Sequence, residues 1–523
     1  MKRYGVSGLC SFLLVSLLTV PQAWAALPHH AFAPQELNFL EEIGRSIGIY
    51  EPESVLTVHV IAAGTGEPLP RAAVLVGTRE GDPFPGNYQM TSSDGEVTFV
   101  DDAIRNGTAV TAVMDGYVAY TITSVQEGTL TIALEPAIAP SERSVTRVEG
   151  TITSWPRMAD GDDWIHLGIV LPELSLQSFV DLKLNSLVGP MDTGYFYGER
   201  KFPSNFFIPK QTEYVFRFIP VEMKKSSYWL PVQSDQTVKL TALQATLPFS
   251  DLLNLYRNEG LMSEMMSLVN IERIGTADLY ASGEMMQVDV PLSHRLKSRR
   301  TVKASGFPKN LNLLMISAVD FSGEGGELVP FDFKMTDKNQ KAAELEILSP
   351  ADLPLASMSK SYLGAFALDL PDHFGEERKR ATGMTASFKR DISRNQFGRE
   401  EFHTFLPIVM PNHLAGTREY GFTPLSAQEL QPEFSVATLR EPEGQDFWTI
   451  VIPYNSDRFV LPELPNGADP LKRSPEKEME LAFSLFRTDR TNTGENGEQE
   501  ADWSAWLDSI AHHSSNSALV EKP

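Results

Sequence analysis

Cysteine is almost missing from this chain: Cys10 is the only one in 523 residues. It lies at the start of an apolar run that reads as a removable leader. The mature chain therefore has no thiol, which excludes disulfides, thiolate nucleophiles and cysteine-held metals. Positive charge is also short, with 45 Lys and Arg against 68 Asp and Glu and a formal net charge of −23, or −25 once Lys2 and Arg3 leave with the leader. Nonspecific nucleic-acid binding needs basic groups that displace phosphate counterions, so no nucleic-acid partner is expected. Acidity is equally the ordinary means of staying soluble. Long hydrophobic runs are lacking beyond the leader, so no transmembrane segment is expected in the mature chain. The sharp catalytic signatures are missing as well. There is no Gly-x-Ser-x-Gly elbow, His-Glu-x-x-His helix, phosphate-binding glycine loop or EF-hand loop.

What is present begins with an export signal. Lys2 and Arg3 precede "LCSFLLVSLLTV" (9–20), Pro21 breaks the run, and Ala23-Trp24-Ala25 gives a small-x-small cleavage pattern. A signal peptide over 1–25 is expected. Export without disulfides fits a bacterial periplasm, cell surface or extracellular space. Residues 26–53 read as an N-terminal helical segment. In it "PQELNFLEEIGRSI" puts Pro34 in the first turn and Leu37, Leu40, Ile43 and Ile47 on one face.

Residues 54–137 read as a small β-sandwich of six or seven short strands divided by turn signals. "SVLTVHVIAAGTGEPLPRAAVLVGT" gives two strands about a turn. In "NYQMTSSDGEVTFV" the Asp94-Gly95 dipeptide turns what reads as a hairpin, followed by alternation at Val97 and Phe99. Thr65-Gly66-Glu67-Pro68-Leu69, Ala72-Ala73-Val74, Asp94-Gly95 with Phe99, Gly107 and Asp115-Gly116-Tyr117 together resemble the carboxypeptidase regulatory-like domain. That resemblance covers about 80 of the 523 residues and departs at Arg71, where a glycine commonly precedes the alanine. It implies a transthyretin-like sandwich, a non-catalytic attachment found in peptidases, outer-membrane receptors and envelope proteins.

No family is recognised beyond it. Residues 145–290 and 291–488 read as one or two larger β-rich sandwich domains, with strong β formers in each run. The inserted segment 249–274 reads as helix, N-capped by Ser250 and weakly broken at Asn258-Glu259-Gly260. Leu252, Tyr256, Met262, Met265, Met266 and Val269 recur at helical spacing. A methionine-rich groove and a plain helix covering a sheet both fit, and the second is the simpler. Residues 489–523 read as a polar tail with a short amphipathic helix that places Trp503, Trp506, Leu507 and Ile510 on one face. The fold class is therefore mainly β, with a few peripheral helices.

The candidate sites are short. Asp160, Asp162 and Asp163 crowd carboxylates into one turn, which suits calcium but falls short of six ligands, so an acidic exposed turn competes. His373 and Glu376 have the His-x-x-Glu spacing of two zinc ligands, with Glu401 and His403 downstream, but they sit in a turn-rich loop. Ser357 and Lys360 match Ser-x-x-Lys without the Lys-Thr-Gly that a penicillin-binding site requires. The basic runs "HRLKSRR" (294–300) and "RKR" (378–380) would meet anionic polymers or pair with nearby acids. Trp155, Trp164 and Trp229 would stack sugars or fill a core. No catalytic residue and no cofactor is assigned, calcium being the one cation entertained. The residues favour an exported, non-catalytic binding or structural protein of the bacterial envelope, with an envelope protein or polysaccharide as partner. The competing readings are an envelope hydrolase and a carbohydrate-binding protein.

Overall fold

The computed structural model describes residues 54–522 except 64, 138–143, 159–162, 181, 183–188, 197–198, 216–218, 259–261, 322–326, 339, 341, 354–359, 370–382, 391–399, 415, 426–429, 442–444, 454–455, 466, 474–477 and 489–509. The expected signal peptide, the helix at 34–47 and the tail tryptophans Trp503 and Trp506 lie outside the described residues. The protein is mainly β with a few short helices, as the runs of β formers predict. No helix among the described residues is long and apolar enough to cross a membrane. Two units emerge: one holds Arg143–Phe405, and the other joins Ala23–Glu142 to Leu406–Pro523. This division differs from the boundaries expected at 137, 290 and 488. Composition marks where linkers fall, but it does not report which distant strands pair.

In the unit built from both ends, strand Val55–Ala62 pairs antiparallel with Glu96–Val100 and parallel with Gly128–Leu134. Its alternating burial sends Leu56, Val58, Val60 and Ala62 inward. A second sheet runs in the order Tyr88–Met90, Ala73–Val76, Thr108–Val113, Ala119–Val125. Val74, Val76, Val110 and Ile122 from this sheet meet Leu56, Val58, Phe99 and Ile132 from the first. The seven strands thus form a sandwich.

The Asp94-Gly95 turn exists, with the Gly95 N–H donating to the Ser92 carbonyl at 3.1 Å. Its flanking strands do not pair, however: Tyr88–Met90 joins the second sheet and Glu96–Val100 the first. The expected hairpin is a corner between sheets. Gly95 is required there, since its φ is +73° and a Cβ would come within 2.6 Å of the Val60 carbonyl oxygen. Arg71, the departure noted above, holds a φ of 63°, the left-handed region in which glycine is the easy residue.

The second sheet does not stop at Ala119–Val125. Its strand pairs in parallel with Asp446–Pro453, which continues antiparallel to Phe434–Arg440, Glu478–Thr488 and Ile510–Glu521. A layer of Val409–His413, Glu419–Pro424 and Arg458–Val460 covers the other side. Ala73 and Leu75 accordingly face a second core with Trp448, Ile450, Tyr420, Phe459 and Phe483. The central sheet is buried on both faces, which explains the unbroken apolar text "AAVLV" where a one-sided strand would alternate. The Trp448 indole N–H donates to the Thr121 hydroxyl at 2.9 Å, and Thr121 and Thr111 share a hydrogen bond of 2.9 Å.

Of the short helix expected in the polar tail, Ile510 alone is described, and from Ile510 to Glu521 the tail is a strand of twelve residues. "IAHHSSNSALVE" lacks β-branched and aromatic density, so propensity alone points elsewhere, and eleven opposed residue pairs with Glu478–Thr488 override it.

In the unit Arg143–Phe405, strands Trp164–Pro172, Phe206–Val215, Gln236–Pro248 and Asn270–Ala281 form the middle of one sheet. Over it lie Val145–Gly150, Tyr228–Gln233 and Met285–Gln287, with a core of Val148, Tyr228, Leu230, Val170, Leu240 and Leu279 between. Phe179, Phe366 and Phe388 pack edge-on or tilted beside the strands Asn312–Asp320, Lys360–Leu368 and Met384–Arg390.

If Trp448 holds the two ends of the chain together, Trp448→Ala costs about 3–5 kcal/mol in urea unfolding followed by circular dichroism. Trp448→Phe, which keeps an aromatic ring but removes the donor to the buried Thr121 hydroxyl, costs about 1–2 kcal/mol. Equal stability of the alanine variant and the parent would show that the pairing does not stabilise the unit.

Candidate functional site

Of the carboxylates in the acidic turn, Asp163 is described, and Asp160 and Asp162 lie outside the described residues. The Asp163 carboxylate accepts the Ser250 N–H at 3.1 Å and the Ser250 hydroxyl at 2.6 Å. Its carbonyl accepts the Phe249 N–H at 2.7 Å. Helix Phe249–Arg257 begins there, and its own N-cap, Pro248, has no side chain to offer. Ser250 is therefore not the cap expected from sequence. A carboxylate from a distant turn satisfies the helix start and complements its dipole. The helical text divides into Phe249–Arg257 and Met262–Leu268, about the break expected at Asn258. Leu252, Met266 and Val269 are buried, the behaviour of a helix covering a sheet.

His373 and Glu376 also lie outside the described residues. Their downstream companions touch: His403 Nε2 is 3.1 Å from Glu401 Oε2, and its Nδ1 is 3.1 Å from the Ser305 hydroxyl, both side chains being exposed. Among the described residues no group of three or more His, Cys, Asp or Glu is arranged to hold a metal. Ser357 is not described, and Lys360 opens the strand Lys360–Leu368, whereas Ser-x-x-Lys chemistry places its lysine one helical turn after the serine.

In the basic run 294–300 the two arginines at its end have side-chain partners. The Arg300 side chain is buried 3.9 Å from Glu400, Arg299 donates to the Asn270 side-chain amide oxygen at 2.6 Å, and the Lys297 backbone N–H donates to Asp352 at 2.6 Å. Residues 378–380 are not described. Of the tryptophans, Trp155 stacks on Phe207 at 5.4 Å and donates to the Ile152 carbonyl, so its ring serves the interior. Trp164 is 41% exposed at the start of its strand.

Trp229 anchors the best-built polar arrangement. Strands Val145–Gly150, Tyr228–Gln233 and Met285–Gln287 bury one face, so strict alternation turns Arg147, Glu149, Trp229 and Met285 outward. The Arg147 guanidinium lies 4.3 Å above the Trp229 ring, a cation–π contact, and an ion pair of 3.2 Å with Glu149 holds it there. The Trp229 indole N–H donates to Asp192 Oδ2 at 3.2 Å. Lys225 backs this carboxylate at 3.3 Å, its side chain 3% exposed, and donates to the carbonyls of Ser204 at 2.9 Å and Ser227 at 2.6 Å.

Burial pulls the Lys225 ammonium below its ordinary range, and the Asp192 charge works against that shift. Burial would raise the Asp192 carboxyl, but the Thr193 N–H and Lys225 outweigh it and hold the group ionised below the usual carboxylate range. Exposed Val145 and Met285 flank the cluster. Sequence reasoning singled out Trp229 alone. The alternation of Arg147 and Glu149 in "SVTRVEG" was a usable signal for the rest. Lys225 in "MKKSSYW" gave none, because nothing local distinguishes it from the exposed lysine of a hairpin end.

If the Asp163 carboxylate caps helix Phe249–Arg257, Asp163→Ala lowers stability by about 1 kcal/mol in urea unfolding without added metal. No change would show that the helix start does not depend on that carboxylate.

No family model matches the chain, and no curated protein is significantly similar. Solved structures give distant likenesses. The TIE protein of Bacillus anthracis is 13% identical at a TM-score of 0.14, over 68% of this chain and 50% of that one. The chain thus spans half the length of that protein. The major pilin SpaD of Corynebacterium diphtheriae is 9% identical at a TM-score of 0.12, over 60% of this chain and 86% of that one. The major pilin subunit BcpA of Bacillus cereus is 8% identical at a TM-score of 0.13, over 67% and 99%. At such scores these likenesses carry no assignment.

Proposed function

We propose that this chain is an exported, non-catalytic binding or structural protein of the bacterial envelope, and that it engages a protein partner through the outer face around Trp229 and Arg147. The leader-like residues 1–25 support export, and the seven-strand sandwich of residues 55–134 supports the transthyretin-like reading of the regulatory-like domain.

The observation that carries the binding assignment is the clamped Trp229–Arg147 pair, 4.3 Å apart on an exposed sheet face. Tryptophan and arginine are the side chains that most often dominate interface energetics, and these two are held in place before any partner arrives. A protein suits the face better than a sugar does. Arg147 already covers the ring plane that a pyranose would stack on, and Val145 and Met285 supply apolar flanks.

The test uses the full-length precursor in cells. N-terminal sequencing is expected to show loss of residues 1–25, and in-cell crosslinking to capture one stoichiometric envelope protein. Trp229→Ala and Arg147→Ala are expected to lower that capture at least tenfold while the melting temperature stays close to the parent's. Retention in the cytoplasm would overturn export. Undiminished capture by both variants would overturn the assigned face, retention on envelope polysaccharide that depends on Trp229 would replace the protein partner by a glycan, and turnover of an envelope polymer would overturn the non-catalytic reading.

A further inference from the structure

Strand Gln236–Pro248 lies between Trp164–Pro172 and Asn270–Ala281, and His294–Arg295 extends that sheet beyond Asn270–Ala281. One row runs straight across it. Gly168, Gln244, Arg273 and Arg295 are directly opposed in turn, so they share a face. The layer over that face ends at this row. One pair inward, Gly275 is still covered by the Pro291 carbonyl. Val290 and Pro291 pair with Ile152 and Thr153, and the chain then leaves that layer. The Ser293 N–H donates to the Ile274 carbonyl at 3.1 Å, which brings His294–Arg295 into the sheet below.

Three polar side chains of the row lack partners. Gln244 is 0% exposed, and neither its amide nitrogen nor its amide oxygen has a hydrogen bond. A buried amide in that state is costly. Gly168, on one side of it, offers no side chain. On the other, Arg273 is half-buried and Arg295 exposed, and among the described residues neither guanidinium has a hydrogen bond or an ion pair. Like charges directly opposed on neighbouring strands, with Cβ atoms about 5 Å apart, repel. The adjacent carboxylate does not relieve them, because Glu272 accepts the Thr246 hydroxyl at 3.0 Å and the Asn270 amide at 3.1 Å. Arg299 and Arg300, by contrast, have Asn270 and Glu400. In a chain of net charge −23, two unneutralised cations set face to face are the exception.

We infer that Gln244, Arg273 and Arg295 form a binding site for a phosphate group. The two guanidiniums carry two positive charges, which a phosphate dianion balances. Its tetrahedral oxygens accept a two-bond fork from each arginine and leave one to face the Gln244 amide N–H. A carboxylate has one charge and two oxygens, so it leaves one arginine uncompensated. The row grades from surface to interior: an anion arriving at Arg295 meets Arg273 next and Gln244 behind it. Binding removes both costs at once, the repulsion between the arginines and the missing partner of the amide. The group is taken either as the free ion or as a monoester carried on a larger molecule. This site does not rest on the Trp229 face.

The test is calorimetric titration of the full-length protein with inorganic phosphate and with methyl phosphate, at constant ionic strength and about pH 8, where both are dianions. Saturable binding at one site is expected. Arg273→Gln and Arg295→Gln are each expected to lower the affinity about tenfold. Lys309→Gln removes the same charge from an exposed lysine outside the row and is expected to leave the affinity within about twofold. Gln244→Leu, which keeps an apolar side chain in the buried space, is expected to lower it about fivefold. Equal affinity for the two probes supports a monoester on a larger molecule, and preference for inorganic phosphate supports the free ion. No saturable binding of either probe, or equal losses in Lys309→Gln and the arginine variants, would overturn the site. Acetate binding as tightly as phosphate would overturn the choice of a dianion, and unchanged affinity in Gln244→Leu would overturn the part given to the amide.

Discussion

The parallel pairing of Ala119–Ile122 with Trp448–Val451 is the constraint on which the double-ended unit depends. A parallel strand pair needs cover on both faces, because its side chains point into two layers of protein. Once Asp446–Pro453 is added to the sandwich, the face carrying Ala73, Leu75 and Ala119 can no longer look onto solvent. The layer Val409–His413, Glu419–Pro424 and Arg458–Val460 supplies that cover with Val409, Tyr420, Phe422 and Phe459. Closing a loop over more than three hundred residues is less prohibitive than it sounds, since its entropy grows only with the logarithm of length. Pairings this remote in sequence form slowly, however, and they reward the chain only when complete. The hydrogen bond from Trp448 to Thr121 sharpens that condition: with the strands apart, neither the indole nor the threonine pair has its buried partner.

In the unit Arg143–Phe405 a buried lysine has a comparable role at shorter range. Lys225 sits behind Asp192, which in turn fixes the indole of Trp229, and Trp229 carries Arg147. The exposed part of this chain of contacts would gain little by itself, as surface ion pairs in high dielectric generally do. Its rigidity comes from underneath. Tyr228 and Leu230 are anchored in the core, and the Tyr228 hydroxyl donates to the Val288 carbonyl at 2.6 Å, so the strand that presents Trp229 cannot turn over.

Much of this fold was legible as strands and little of it as pairing. Alternation at Val97 and Phe99 located a strand, and Asp94-Gly95 located a turn, yet the turn joins two sheets. Local text cannot tell a hairpin from a corner, because both need the same glycine. The continuous run Ala73–Val76 could have announced two-sided burial, but its second covering layer comes from residues beyond 405. At the candidate site, the outward period of Arg147 and Glu149 was visible in the sequence. Asp192 and Lys225 were not, since their partnership exists only once strands Met191–Phe196 and Ile219–Lys225 lie side by side. The cap of Phe249–Arg257 followed the same pattern. Ser250 had the right chemistry in the right neighbourhood, and Asp163, distant in sequence, supplied the carboxylate.

The C-terminal strand shows why polarity misled and why it is useful. A strand of unbroken apolar residues at this position would be held by buried area, which a slip in register changes little. Ser514 and Asn516, two residues apart, meet the carbonyls of Pro407 and Val409, also two residues apart. A slip of one residue turns both side chains to the opposite face and leaves buried polar groups without partners, at a cost of about 1–3 kcal/mol each. The sequence that reads as a polar tail is therefore the sequence that specifies one register of this strand on Glu478–Thr488.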